Sequence, residues 1–300
     1  MLLDIVHETR YEYAPAVKTA RHVAHLKPAH GTRQQLLSHE VVMDPPPGQR
    51  SEAVDVWGNT RTCFSYLAQH DELKVVAHSV VATSPSPAVL NDMSWQEARE
   101  RMRYHRGASY DAAAEFVFAS PYVPRHSDFV EYALPSFAAG RPLTEAARDL
   151  MARINADFDY ESQATDVSTP ALEALHLRKG VCQDFAHVML SCLRSLGLAA
   201  RYVSGYLLTE PPPGQAKLVG SDASHAWVSI YVPGPDDARG DWLDLDPTNR
   251  RAPGEDYVVL ATGRDYSDVS PVRGVIHGGG NHLLHVAVTV SPAAAPTIAP

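Results

Sequence analysis

The sequence predicts an α+β protein in which a small all-β, sandwich-like domain precedes a mixed domain. Residues 1–87 contain runs of alternating apolar and polar side chains and almost no helical periodicity. Residues 182–196 instead have apolar side chains at helical spacing, and residues 224–246 contain two β-rich runs separated by a turn. We therefore expect the second domain to pack a helix on an antiparallel sheet.

The predicted domain boundaries follow changes in composition. Residues 84–87, Ser-Pro-Ser-Pro, are typical of a linker, so the β-rich domain is predicted to cover residues 1–87. The mixed domain is predicted to cover residues 88–290. Residues 291–300 are rich in alanine and proline, and we expect them to be a disordered tail. A chain of 300 residues, 45% of them hydrophobic, is long enough to bury one or two cores.

Helices are predicted between the linker and the middle of the mixed domain. Residues 94–140 contain several prolines and predict only short helical or irregular pieces. Pro142 stands at a first-turn position, and apolar side chains then recur every three or four residues as far as Phe158, which predicts a longer helix. A shorter helix is predicted from Pro170 to Lys179, with Gly180 ending it.

Cys182 stands at the start of a strongly amphipathic predicted helix. The apolar stripe of this helix consists of Phe185, Val188, Met189, Cys192, Leu193 and Leu196, and Gly197 predicts a left-handed stop. Unpaired N–H groups and the positive end of the helix dipole favour an ionised thiol at such a position. Cys182 is therefore the predicted nucleophile.

A base and a carboxylate are predicted on the hairpin that follows. Residues 224–232 and 242–246 read as two strands joined by a turn centred near residues 236 and 237. In that register His225, at the start of the first strand, faces Asp246, at the end of the second. Such a carboxylate fixes the tautomer of the imidazole and stabilises its protonated form. Asp244 has the same strand parity as Asp246 and is the alternative acid.

Four motifs in this order carry a family resemblance. They are Gly-Val-Cys-Gln-Asp-Phe-Ala-His at 180–187, Ala-Arg-Tyr-Val-Ser-Gly-Tyr at 200–206, His-Ala-Trp-Val at 225–228 and Asp-Pro-Thr-Asn at 246–249. The chain resembles the bacterial transglutaminase-like proteins of the proposed cysteine protease type. The resemblance implies a papain-like transglutaminase core in which Cys182 is the nucleophile, His225 the general base and acid, and Asp246 the orienting carboxylate.

The resemblance covers nearly the whole chain. Residues 3–13 and 55–59 look like the separate β-rich domain that precedes the core in this bacterial group. Residues 201–206 would form a core strand between the nucleophile helix and the strand of His225.

Other reactive side chains favour structural interpretations. Cys192 shares the apolar stripe of its helix, and Cys63 lies in a predicted strand, so both are expected to pack in a core. Helical phase separates Cys182, Asp184 and His187, which argues against a shared metal ion. We expect Asp184 to stabilise the first turn of the helix and His187 to be a hydrogen-bonded partner rather than a base.

The glycine-rich cluster at residues 277–285 contains three histidines but lacks the context of a phosphate-binding loop. We interpret it as a turn that enters a last strand, residues 285–290. No metal site and no organic cofactor are predicted.

Composition limits the partners and the expected location. The net charge of −9 opposes binding to nucleic acid or to an anionic membrane, which would need a basic surface. Three cysteines, an odd number, fit a reducing compartment. The sequence has no basic leader and no long apolar run, so a cytoplasmic location is expected. The oligomeric state stays open.

The predicted function is thiol-dependent acyl transfer, or hydrolysis, of a peptide or γ-glutamyl amide through a thioester intermediate. The expected partner is a peptide or protein with amide groups, together with an amine if water is not the acceptor. Two alternatives remain. One is a binding or assembly module that keeps the fold without turnover, and the other is a metal-dependent hydrolase that uses His225, Asp244 and Asp246.

Overall fold

The amino-terminal part of the chain is a sheet of antiparallel strands. The computed structural model describes residues 1–86, 93–104, 106, 110–209, 224–235 and 239–293. Its first strands are β1 (Leu2–Ala24), β2 (Gln34–Asp44), β3 (Gln49–Val54), β4 (Thr60–Tyr66) and β5 (His70–Thr83). The long strand β1 pairs with β5 along its first half and with β4 along its second half. The sheet order is β2-β5-β1-β4-β3, which confirms the predicted β-rich region.

The two halves of this sheet share one hydrophobic cluster. Val75 lies on β5, beside the first half of β1, and Val41 lies on β2, the strand beyond β5. Phe64 and Tyr66 come from β4, the strand beside the second half of β1. All four side chains are buried. Neighbouring strands of this sheet therefore bury side chains in a common core, as the alternating sequence pattern predicted.

Helices connect the amino-terminal sheet to the mixed second domain. They are α1 (Trp95–Arg101), a 3-10 helix (Ala112–Val117), α2 (Ser127–Ala133), a 3-10 helix (Leu134–Ser136) and α3 (Leu143–Asp157). The longest of these, α3, begins directly after Pro142, whose fixed φ suits a helix start and whose missing N–H needs no acceptor there. Leu143, Leu150 and Ile154 on one face of α3 are buried, as the predicted spacing requires.

Three short elements precede the helix that begins at Cys182. In order, the three elements and this helix are β6 (Asp159–Tyr160), α4 (Ala171–Leu177), β7 (Lys179–Gly180) and α5 (Cys182–Ser195). Arg178, at φ 56°, ends α4, so the prediction that Gly180 ends it was wrong: Gly180 pairs with Tyr160 in the ladder between β6 and β7. Gly197, at φ 82°, follows the end of α5 and confirms the predicted left-handed stop. Within the described ranges, no helix is long and apolar enough to cross a membrane.

The core sheet has four antiparallel strands. They are β8 (Ala200–Leu207), β9 (Ser224–Val232), β10 (Asp241–Leu245) and β11 (Tyr257–Gly263), followed by α6 (Tyr266–Val269). The order is β10-β9-β8-β11. Helix α5 contacts β8 and β9, and Phe185 and Val188 share a buried cluster with Tyr202 and Val228. The predicted helix on an antiparallel sheet is therefore confirmed. The predicted turn centre, residues 236 and 237, lies outside the described residues.

The last two strands return to the amino-terminal sheet. They are β12 (Val272–Gly278) and β13 (Asn281–Pro292), and both pair with β1. Assigning residues up to 290 to the second domain was therefore wrong, because residues from 272 onward hydrogen-bond to the first sheet. The last strand also begins at Asn281 rather than His285, since Gly278 and Gly279 adopt positive φ and form the turn before it.

The return of the chain joins the two sheets. Val288 and Val290 on β13 share a buried cluster with Leu3 and Ile5 on β1 and with Tyr206 on the core sheet. Ser291 and Pro292 still pair with β1, so the predicted tail does not begin at residue 291. Residues 294–300 lie outside the described residues.

A chain that ends at Pro271 should lose cooperative folding, whereas a chain that ends at Ala293 should keep it. The shorter chain leaves one edge of β1 unpaired and removes the fully buried Val288 and Val290. Burial of each such side chain contributes about 1.5–3 kcal/mol, a large part of a typical stability of about 5–15 kcal/mol. Thermal unfolding followed by circular dichroism tests this, and equal melting temperatures for the two chains would show that the boundary drawn here is wrong.

Candidate active site

Asp184 fixes the turn that presents Cys182. One oxygen of its buried carboxylate accepts the N–H of Val181 (2.8 Å) and the hydroxyl of Thr165 (2.7 Å). Burial raises the pKa of Asp184 and outweighs these two hydrogen bonds. Gly180, at φ 154°, lies so close that an added Cβ would be 2.5 Å from the same oxygen. The prediction that Asp184 stabilises the first turn is confirmed, and the turn requires glycine at position 180.

Cys182 is the first residue of α5 and is partly exposed. Two tyrosines lie close enough to feel its charge, the fully buried Tyr202 and the exposed Tyr160. Burial is the main cause that raises the pKa of each tyrosine, and the Cys182 sulfur is the second. The amide of Gln183 donates to the carbonyl of Val167 (3.2 Å), so this side chain is turned toward the preceding loop. The thiol thus lies between a buried tyrosine and the protein surface.

His225 and Asp246 meet, although in a different register from the one predicted. Leu245 pairs with Val228, so Asp246 falls beside Trp227 rather than beside His225. Residues two apart on a strand share a face, so His225 reaches Asp246 as a diagonal neighbour. The distance from His225 Nε2 to Asp246 Oδ2 is 2.7 Å. The predicted contact is present, with the register shifted by two residues.

The Asp246 carboxylate is fully buried and accepts five hydrogen bonds. Its Oδ2 accepts from His225, from the Asn249 amide (2.7 Å) and from the Tyr257 hydroxyl (2.7 Å). Its Oδ1 accepts the backbone N–H groups of Thr248 (2.8 Å) and Asn249 (3.2 Å). Burial by itself would raise the pKa of Asp246, but the side-chain hydrogen bonds outweigh it and lower the pKa below its usual value. The carboxylate is therefore ionised at neutral pH.

His225 is held as a cation between two partners. Its side chain is only 10% exposed, and burial alone would lower its pKa. Hydrogen bonds with Asp246 and Cys182 outweigh burial and raise the pKa of His225 to about 10. Because Asp246 occupies Nε2, the other ring nitrogen, Nδ1, is the one left for the thiol. The arrangement can exchange a proton with sulfur on one side while a carboxylate balances its charge on the other.

Comparisons with known proteins show the family of the chain. Residues 3–82 match the bacterial transglutaminase-like N-terminal region, and residues 131–247 match the transglutaminase-like superfamily. An uncharacterised protein of Mycobacterium tuberculosis (strain H37Rv) is 41% identical over 96% of this chain and 92% of its own length. The chain belongs to the bacterial transglutaminase-like family. An uncharacterised relative from Mycobacterium leprae is 32% identical over 96% of this chain and 98% of its own length.

The chain is also similar to one solved structure over nearly its whole length and to one named enzyme over about a third of its length. The crystal structure of a proposed cysteine protease from Cytophaga hutchinsonii covers 98% of this chain, with 91% of its own chain matched, a TM-score of 0.74 and 20% identity. This bacterial transglutaminase-like chain therefore shares its fold. A protein-glutamine gamma-glutamyltransferase of Pseudomonas aeruginosa is 34% identical over 112 residues, which are 35% of this chain and 16% of that protein.

Asp244, the alternative acid predicted for the triad, is not a partner of His225. Its carboxylate pairs with Arg33 (3.1 Å) and accepts the hydroxyl of Ser229. It does not reach His225, so the structure does not bring together the His225, Asp244 and Asp246 set of the metal hydrolase alternative. Among the described residues, no group of three histidine, cysteine or acidic side chains could hold a metal ion.

The remaining candidates are structural. His187 is buried, lies within ring-contact distance of Tyr122 and Tyr202, and accepts the N–H of Tyr266 (3.3 Å). Burial lowers the pKa of His187 to about 3, so it is neutral, and the prediction of a hydrogen-bonded partner is confirmed. Cys192 is fully buried among apolar side chains, as predicted.

Sequence reasoning missed two partners of the carboxylate. Asn249 had a local signal, because a turn led by Pro247 returns its amide and N–H to Asp246. Tyr257 had none, since it reaches Asp246 from β11, a strand separated from β10 by two other strands of the sheet. Both donors help to keep the carboxylate ionised.

Replacing Asp246 with asparagine should lower the pKa of His225 from about 10 toward its ordinary value, about 6.5, because the amide carries no charge. In the wild type, protonated His225 stabilises the folded state, and this contribution is lost as pH rises through about 10. Imidazole ¹⁵N chemical shifts measured against pH test the change. Asp244→Asn is the matched control, because Asp244 faces Arg33. An unchanged titration of His225 in Asp246→Asn would contradict the assigned pairing.

Proposed function

We propose that this chain is a thiol-dependent amide acyltransferase or hydrolase in which Cys182, His225 and Asp246 form a catalytic triad. The observation that carries the proposal is the placement of the His225 imidazole, which is hydrogen-bonded to a buried carboxylate on one side and to a partly exposed thiol on the other. A protonated imidazole stabilises a thiolate, which is the nucleophilic form of cysteine. Membership of the transglutaminase-like superfamily supports the same chemistry.

The first step is attack by the Cys182 sulfur on an amide carbonyl carbon. A carbon–sulfur bond forms, and the carbonyl electron pair moves to oxygen. The backbone N–H groups of Cys182 and Gln183 precede the first hydrogen bonds of α5 and have no acceptor among the described residues. They are suited to donate to the developing oxyanion, and the positive end of the helix adds to this stabilisation.

Proton transfer by His225 completes the reaction. The imidazolium gives its Nδ1 proton to the leaving nitrogen, the carbon–nitrogen bond breaks, and a thioester remains on Cys182. Water or an amine then attacks the thioester, His225 removes the proton of the incoming nucleophile, and the sulfur leaves as thiolate. Asp246 keeps Nε2 protonated throughout and stabilises the positive ring.

The proposed substrate is a peptide or protein that presents a glutamine-type amide. The exposed side chain of Tyr160 lies near the thiol and gives an apolar surface against which a peptide can pack. The similarity to the Pseudomonas aeruginosa protein-glutamine gamma-glutamyltransferase is consistent with this substrate class. Water and an amine share every step up to the thioester, so both acceptors fit the geometry.

Cys182→Ala should abolish turnover, by a factor on the order of a thousand or more, because the nucleophile is removed. Asp246→Ala should retain a small residual rate, since it removes only the group that orients His225. Cys192→Ala is the matched control, because this thiol is sealed in the core and its loss should leave activity intact. The measurement is mass spectrometry of a library of glutamine-containing peptides, incubated with and without a primary amine.

The products distinguish the reactions. Replacement of an amide NH₂ by OH indicates hydrolysis of the glutamine side chain, an amine adduct indicates transfer, and shortened peptides indicate cleavage of the main chain. Equal product from wild type and Cys182→Ala would contradict the proposal. Absence of any product with the whole library would favour the module without turnover.

A further inference from the structure

A cavity lies on the core sheet, away from the thiol. Its volume is about 770 Å³, within the range of about 300–1,000 Å³ that is usual for small-molecule sites. The walls come from the loop between β3 and β4, from the 3-10 helix Ala112–Val117, and from β8, β9 and β10. Tyr231 in its wall is six residues beyond His225 on the same strand, which places the cavity about 20 Å from the imidazole.

Aromatic rings form one continuous wall of this cavity. The ring centroids of Trp57 and Phe116 are 4.9 Å apart, those of Phe116 and Trp242 are 5.4 Å apart, and those of Trp242 and Tyr231 are 5.2 Å apart. These spacings are those of favourable aromatic contacts. The rings are tilted or edge-on to one another, so the wall offers apolar faces and edges against which the apolar body of a ligand can pack.

The floor of the cavity carries a cation, Arg201, that has one unpaired nitrogen and whose protonated form is favoured by the nearby charges of Asp244 and Asp241. The guanidinium of Arg201 lies over the ring of Trp242, 4.0 Å from its centroid. Its Nε is buried and has no hydrogen-bond partner in the described part of the chain. Burial lowers the pKa of Arg201 to about 10, so the group remains charged at neutral pH. A buried donor without an acceptor is destabilising, and an incoming oxygen would relieve that cost.

The acidic residues that line the same cavity already have donors. Asp111 accepts the hydroxyl of Tyr231 (2.5 Å), Glu115 accepts the hydroxyl of Tyr110 (2.7 Å), and Asp241 accepts the N–H of Trp242 (2.7 Å). None of them forms an ion pair with Arg201 among the described contacts. Among the described residues that line the cavity, Arg201 Nε is therefore the buried side-chain donor that lacks a hydrogen-bond partner.

We propose that this cavity binds a small carboxylate with a flat aromatic or apolar body. The carboxylate would pair with the planar fork of Arg201, and the body would lie against the aromatic wall. The site is independent of the thiol chemistry, because Cys182, His225 and Asp246 do not line it.

The test is isothermal titration calorimetry of the full chain with 2-naphthoate and with its uncharged analogue, 2-naphthamide. We expect the carboxylate to bind at least about tenfold more tightly than the amide, as a hydrogen bond to a charged group allows. Arg201→Met should abolish that preference. The matched control is Arg99→Met, because Arg99 lies over Trp95 outside the cavity.

A second variant keeps the test decisive if Arg201→Met does not fold. Trp57→Ala removes a partly exposed ring from the wall, and it should weaken both ligands while leaving the preference for the carboxylate intact. Equal affinity of the wild type for the two ligands, or no binding of either, would overturn the proposal. A carboxylate preference that survives in a folded Arg201→Met protein would overturn it as well.

Discussion

The charge of one buried carboxylate organises the site. An ionised group that is removed from water is destabilising unless hydrogen bonds replace the water, and Asp246 has five. The donors come from β9, from β11 and from the turn that follows β10. Three strands of the core sheet and one turn must therefore be correctly placed before this charge is stable. The same charge then holds His225 protonated.

The thiol is brought to that imidazole by tertiary packing rather than by local sequence. Helix α5 buries Phe185 and Val188 against Tyr202 and Val228 on the core sheet, which fixes where the helix begins. Gly180 and Asp184 then set the turn ahead of Cys182. Stability and reactivity are coupled here, because the contacts that fold the core also set the position of the sulfur relative to the ring.

Much of this could be predicted from local patterns. The start of α5 at Cys182 and the bounds of β9 follow from periodicity and from glycine at the turns, which are signals within a few residues. The register of β9 and β10 was missed by two residues because a hairpin register depends on its turn. The pairing of β12 and β13 with β1 joins strands that are separated by most of the sequence, and no local pattern predicts it. Tyr257 and the cavity around Arg201 likewise assemble from distant segments.

The central proposal is that the Cys182 thiol and the His225 imidazole react as an ion pair. The most direct test is the rate at which iodoacetamide alkylates Cys182 at a series of pH values from mildly acidic to alkaline. Peptide mapping measures this rate in the wild type and in His225→Ala. If the ion pair exists, the wild-type rate stays high in mildly acidic solution, and His225→Ala reacts quickly only when the solution is alkaline. The same pH dependence in both proteins would contradict the account.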